Sequence, residues 1–217
     1  MLATSELPGL RERKAARLKI QLVDLLTKEL QHRGFHEIGV EELCEKAMIS
    51  KVTFFKYFPT KDALLWYHST VWIYRIKADC LLKGLEGIAA LRFLFNDMAA
   101  HFNEHINLFG YYFSVNSLQV SGEVRPLLSD AEKLVLYPDG STLGLGINYS
   151  LGEFFRHHVR KARKAGDIRT DMTVETQAVL FGSLFQGAGL VGLRIDPARP
   201  GDNFHTTFNA ILRLLKP

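Results

Sequence analysis

The order of breakers and caps in the first eighty residues constrains this chain more than any other feature. Residues 10–33 contain no glycine or proline, and Leu18, Leu22, Leu25, Leu26 and Leu30 recur at three- and four-residue spacing. That spacing places them on one face of an amphipathic helix. Gly34 stands where it can cap this helix, with Arg33 beside the carbonyl end, and Phe35 can fold back onto the helix it has left. Gly39 opens a short helix over 40–47, whose Val40, Leu43 and Ala47 share a face and whose first turn carries Glu41 and Glu42. Met48 and Ile49 make a turn, Ser50 caps a third helix over 51–58, Pro59 stops it, and Thr60 caps a fourth running to about residue 82. The second helix is too short to persist alone and must pack on its neighbours.

Three helices in about fifty residues, the last two joined by a tight turn, match a helix-turn-helix. Further on the pattern stays helical. The spacing predicts helices over 88–107, 108–120, 123–136, 145–165, 173–193 and 204–215. Tyr137 to Thr142 reads as a loop, Gly166 ends a helix, Asp167 to Asp171 forms a link, and the prolines and glycine of 196–201 break the chain. No period-two alternation is long enough for a sheet, so the expected fold is all-α. A three-helix head over 1–60, with 1–9 a flexible arm, is followed by a larger helical body over 61–217.

Composition narrows the class. With 47% hydrophobic and 23% charged residues among 217, the chain can bury a core. A net charge of +4 permits nucleic-acid binding without requiring it. Two cysteines, Cys44 and Cys80, are too few for a secreted disulfide framework and are expected to be reduced. No uninterrupted run of about 18 apolar residues occurs, and charge follows Gly9 instead of preceding an apolar stretch, unlike a secretory signal. The expectation is a cytoplasmic protein without a membrane partner.

The segment Gly34 to Leu65 is the most specific. Within it, Ser50-Lys51-Val52-Thr53-Phe54-Phe55-Lys56-Tyr57-Phe58-Pro59-Thr60-Lys61-Asp62-Ala63-Leu64 resembles the recognition helix, and the entry to the fourth helix, of the TetR family of bacterial transcriptional regulators. The resemblance covers roughly residues 15–66, and the link Ala165-Gly166-Asp167-Ile168-Arg169 is similar to a common turn of that family. The residues themselves agree. Phe54 and Phe58, four apart, can pack inward together, leaving Lys51, Thr53, Lys56 and Tyr57 outward for phosphate and base-edge contacts in a major groove. Lys61 at a helix start is placed for a phosphate, and Arg11, Arg13, Lys14, Arg17 and Lys19 form a basic arm that could follow the duplex. Lys51, Thr53, Phe55, Lys56, Tyr57 and Lys61 are therefore the candidate DNA contacts. Three positions depart from the family pattern: Gly39 stands where a threonine is usual, Val52 where a small residue is common, and Phe55 where a tyrosine often offers its hydroxyl to phosphate.

The resemblance implies a body that encloses a small-molecule effector and pairs with a second copy. Aromatic residues are dense between the fourth and sixth helices, and Trp66, Trp72, Phe102, Phe109, Tyr112 and Phe113 are the candidate pocket lining. The last two long helices usually pair in this family, making Phe154, His158, Phe181, Leu184, Phe185 and Ala188 the candidate dimer contacts. A two-fold dimer favours a palindromic operator. The reading is a non-enzymatic repressor, bound to its operator as a homodimer, released by a small-molecule ligand and needing no cofactor. An alternative uses Asp97, His101 and His105, spaced by four, as a metal-binding face of an enzyme or sensor, with His157 or His158 approaching. Another alternative is a protein-interaction module. No nucleophile elbow, phosphate-cradling glycine loop or Cys-x-x-Cys pair is present.

Overall fold

The computed structural model describes residues 8–116, 127–145 and 150–217, without the side chains of 113–116. These residues are helical and include no strand, as the spacing predicts. The helices are α1 (Leu10–Leu30), α2 (Val40–Lys46), α3 (Lys51–Tyr57), α4 (Lys61–Leu82), α5 (Gly87–Glu104), α6 (Ile106–Asn116), α7 (Asp130–Leu136), α8 (Leu151–Ala165), α9 (Val174–Ile195) and α10 (Asp202–Leu214), with a 3-10 turn at Phe35–Glu37. The arm before Pro8, the end of the 108–120 helix and the starts of those over 123–136 and 145–165 lie outside the described residues.

The head forms around one small core. The stripe on α1 buries Ile20, Val23, Leu26 and Leu30, and α2 and α3 bury Leu43, Cys44 and Phe54 against it. Ser50, Thr60 and Gly39 stand at the N-caps anticipated, and the hydroxyl oxygens of Ser50 and Thr60 accept the backbone N–H of Thr53 and Ala63. Met48 holds the turn at φ 54°, a left-handed conformation taken here by a non-glycine residue. Gly34 differs from the expectation. Helix α1 ends three residues earlier, at Leu30, and Gly34 sits at φ −66° opening the 3-10 turn, its N–H donating to Glu37. The three residues between leave room for Phe35 to turn under the head.

In the body, α5 is the central element, burying Ala90, Leu91, Leu94, Phe95, Met98, Ala99 and Phe102. Phe95 meets Phe208 of α10 with ring centroids 4.9 Å apart and Phe185 of α9 at 5.1 Å. Edge-to-face rings of this kind hold α8, α9 and α10 around α5. Gly192 and Gly201 permit the tightest approaches, since a Cβ would lie 2.1 Å from the Pro200 carbonyl oxygen or 2.0 Å from that of Ala99. Gly166 closes α8 at φ 79°, and the N–H of Asp167 bonds back to Ala162.

Other boundaries shift for local reasons. His105 leaves the helix at φ −128° and ψ 50°, so α5 stops at Glu104 and α6 starts at Ile106. Ser129 and Ser150 take the N-caps of α7 and α8, which fixes those helices later than periodicity alone suggests. Helix α9, with mean hydropathy 1.5 over its most apolar window, is the one helix among the described residues long and apolar enough to cross a membrane. Only 33% of that window is buried, and the helix leaves apolar residues exposed in the single chain. Cys44 and Cys80 are both free and buried.

Candidate nucleic-acid interface and ligand cavity

Helix α3 is amphipathic over only seven residues. Phe54 and Phe58 turn inward, their ring centroids 5.8 Å apart, and leave Lys51, Val52, Phe55 and Lys56 exposed, with Thr53 and Tyr57 half-buried. The Thr53 hydroxyl shares a 3.0 Å hydrogen bond with Ser50 at the cap. Lys51 pairs with Glu41 of α2, while Lys56 stands exposed at the end of the helix. Arg11, Arg13, Lys14 and Arg17 are exposed along α1, and a groove of about 500 Å³ lined by Leu10, Arg11, Lys14, Leu18 and Tyr57 joins that helix to α3. One side of the head is thus a cationic surface around a short protruding helix.

Two of the expected cations serve the fold in this structure. Lys61 donates to the carbonyl oxygens of Phe35 at 2.6 Å and Ile38 at 2.8 Å, with its ammonium 4.3 Å from the centre of the Phe35 ring. Burial pulls its pKa down. Its placement departs from the phosphate contact expected of a helix start, because two carbonyls already hold the ammonium. Lys19 donates to Glu132 of α7 at 2.8 Å, inside the seam between head and body. Tyr67 of α4 donates to the same carboxylate oxygen at 2.7 Å, and Ser129 caps it from its own helix. Burial pushes the Glu132 carboxyl upward, but the bonds from Lys19, Tyr67 and Ser129 outweigh it and leave the pKa lowered.

A cavity of about 340 Å³ opens where α1 faces α4, α5 and α6. Its walls are Val23, Asp24 and Thr27 of α1, His68, Trp72, Arg75 and Asp79 of α4, Asp97 and His101 of α5, then His105, Leu108, Phe109 and Tyr137. The polar groups are organised. Trp72 donates its indole N–H to Asp97 at 2.8 Å, His101 lies 3.2 Å from the same carboxylate oxygen, and Tyr137 donates to Asp79 at 3.0 Å. The bond to Asp97 raises the His101 pKa to about 9. Burial holds His105 and His68 below the ordinary histidine value, and Nδ1 of His105 is buried with no hydrogen-bond partner among the described residues. An apolar slot of about 10 Å³, between Trp72, Met98, Leu108, Phe109, Tyr112 and Phe185, shares Trp72, Leu108 and Phe109 with the cavity.

Of the expected pocket residues, Trp72, Phe109 and Tyr112 line these spaces. Trp66 packs on Tyr112 with ring centroids 5.6 Å apart, Phe102 is core, and neither lines the two cavities. The side chain of Phe113 lies outside the described residues. His68, Arg75 and Asp79 were not anticipated. Their signal was available: His68, Trp72, Arg75 and Asp79 recur at spacings of four, three and four on one face of an otherwise apolar helix.

The metal-binding face is not assembled as the spacing suggests. His105 has left the helix, its ring lying over His101 with centroids 6.2 Å apart, and Asp97 is engaged by Trp72 and His101. No group of three ligating side chains placed to hold a metal ion occurs among the described residues.

The candidate dimer contacts are also corrected. Phe154, His158, Phe181, Phe185 and Ala188 are buried within the single chain, and Leu184 is half-buried. The aromatic side of α8 and α9 faces α5. The outward side of α9 carries Val179, Leu190, Val191 and Ile195, all exposed. Beside it a groove of about 360 Å³ runs along α8 and α9, lined by Gly152, Arg156, Val179, Gly182, Ser183 and Gln186.

A short helix protrudes from a cationic three-helix head, which joins an all-helical body with a cavity at the seam, the architecture of a helix-turn-helix regulator. Residues 22–66 match the family model for bacterial regulatory proteins of the tetR family. The whole fold is shared with solved members. The Thermus thermophilus FadR structure, a TetR-family transcriptional repressor in complex with lauroyl-CoA, is 20% identical, with 89% of this chain and 93% of that one covered and a TM-score of 0.57. The regulatory protein TetR from Rhodobacter sphaeroides is 18% identical, with 90% and 97% covered and a TM-score of 0.56. Escherichia coli NemR in its reduced form is 18% identical, with 91% and 97% covered and a TM-score of 0.54. No curated protein matches the chain in sequence at a significant level.

Proposed function

We propose that this protein is a transcriptional repressor that binds a palindromic operator as a homodimer and releases it when a small molecule enters the seam cavity. The observation that carries the reading is the exposed face of α3 beside the cationic face of α1, on a head whose sequence is that of a DNA-binding family. The boundary between head, 1–60, and body, 61–217, falls at the proline that stops α3. The exposed apolar side of α9 is the surface a second copy would cover, with Gly187 allowing close approach. A ligand in the cavity touches α1 directly through Val23, Asp24 and Thr27, and so binds differently in two arrangements of the head. Its walls suit a molecule with a flat apolar part against Trp72 and Phe109 and a hydrogen-bonding group towards His105. DNA binding itself needs no cofactor in this reading, no enzymatic step is involved, and a protein acting on a bacterial chromosome works in the cytoplasm.

The experiment is a fluorescence titration of labelled duplexes from the DNA flanking its own gene, at two salt concentrations. We expect selective binding that weakens steeply with salt, and Lys56→Ala lowering affinity across sequences with a salt slope smaller by about 1. Binding that is absent, or indifferent to salt, overturns the reading in favour of a protein-interaction head.

A further inference from the structure

The outward face of α3 is not uniformly polar. Val52 is 81% exposed and Phe55 46% exposed, between Lys51 and Lys56. Neither contributes to the core beneath, which Phe54 and Phe58 fill. Valine is a poor choice for a solvent-exposed site in a seven-residue helix, since its branched Cβ loses rotamer freedom there and gains no burial in return. The Phe55 ring stands edge-on to Phe54, centroids 5.3 Å apart at 84°, so its direction is set before any partner arrives. Folding alone explains neither residue.

The surroundings indicate the partner. The apolar strip shares α3 with exposed Lys56, on a head whose α1 exposes Arg11, Lys14 and Arg17. A membrane-facing patch would be broader, and a protein-facing one would not need exposed cations on the same head. A polyanion presenting a small apolar group satisfies both features. In the major groove the edges of the bases offer donors and acceptors throughout, and one apolar group, the C5-methyl of thymine.

We propose that Val52 and Phe55 are specificity residues that pack against thymine C5-methyl groups, so that the operator half-site carries thymine at fixed positions beneath α3. This rests on the DNA-binding reading of the head and goes beyond it by naming the base and the side chains that read it.

The test selects duplexes from a random-sequence library with the full-length protein. Each thymine of the preferred duplex is then replaced by deoxyuridine, which pairs identically and lacks only the methyl. We expect one substitution beneath Val52 and another beneath Phe55 to weaken the wild-type protein about fourfold each, the worth of one buried methyl-sized group. Val52→Ala, a surface change that leaves the core intact, is expected to bind the first thymine and uracil duplexes alike while still preferring both to random DNA. Phe55→Ala is expected to erase the difference at the second position. Wild-type protein that binds every uracil duplex as tightly as its parent overturns the proposal, as does a Val52→Ala protein that keeps the wild-type ratio. Loss of self-association on Val52→Ala, seen by sedimentation, would make the strip a protein interface and also overturn it. A selection that yields no preferred duplex, with no salt-sensitive binding to random DNA, removes the DNA-binding reading and this inference with it.

Discussion

Tyr111 of α6 stacks on Phe35 of the head with ring centroids 4.4 Å apart and 24° between the planes, and its hydroxyl donates to Asp62 at 3.1 Å. The same helix supplies Leu108, Phe109 and Tyr112 to the cavity walls. One helix therefore touches both the ligand space and the head. A double-mutant cycle of Phe35→Leu and Tyr111→Leu, followed by denaturant unfolding, is expected to give a coupling of about 1 kcal/mol. Additive single-mutant losses would show that the stack transmits nothing.

The second tie between head and body is charged. Glu132 is 2% exposed at its side chain and receives Lys19 and Tyr67 from two other helices. Removing the carboxylate leaves the Tyr67 hydroxyl without its partner in a buried site, while Lys19, partly exposed, can recover water. Glu132→Ala is expected to lose about 2–3 kcal/mol of stability. The carboxyl pKa is lowered in the fold, so its contribution is present above the unfolded value and fades as pH falls through the folded one. Unfolding at pH 7 and at pH 3 should show the wild-type and variant proteins converging in acid.

His101 has the opposite sign. Its pKa is raised from 6.5 to about 9 by the bond to Asp97, so the native state holds this proton more tightly than the unfolded chain. The stabilisation is complete below about pH 6.5 and is lost as pH rises through about 9. The imidazole is 43% exposed and solvent screens the pair, so the effect is on the order of 1 kcal/mol. Asp97→Asn should flatten this part of the stability profile and return the His101 ring resonances to an ordinary titration midpoint. An unchanged midpoint would falsify the assignment.

Gly201 opens α10 with its N–H donating to Asn103 at 2.7 Å and its Cα against the Ala99 carbonyl. A methyl group there would sit 2.0 Å from that oxygen, and backbone cannot rotate away as a side chain can. Gly201→Ala is expected to cost about 1–3 kcal/mol and to lower the thermal midpoint, whereas Gly144→Ala, with open space around it, should not.

The sequence by itself determined the all-helical class and the head, with the caps at Gly39, Ser50 and Thr60. The signals there are local: Ser50, Thr60 and Gly39 end or begin a helix by bonding or conformation within four residues, and the α1 stripe fixes which side is buried. The recognition helix was legible for the same reason. What lay beyond it was which face of a long helix meets which neighbour. The α8 and α9 aromatics read as an interface because the resemblance implies that the last two long helices pair, and residue spacing does not say whether a core or a second copy covers a buried side; α5 covers them. Lys19 and Lys61 read as free cations because their partners, Glu132 and the carbonyls of Phe35 and Ile38, lie 113, 26 and 23 residues away. The cavity, too, exists only once α1 is laid across α4, α5 and α6, which brings Asp24 and Thr27 to the same space as Arg75 and His105. Local hydrogen bonds and propensity act over one turn and are written in adjacent residues, while contacts across the seam depend on how whole helices pack, which only the tertiary structure settles.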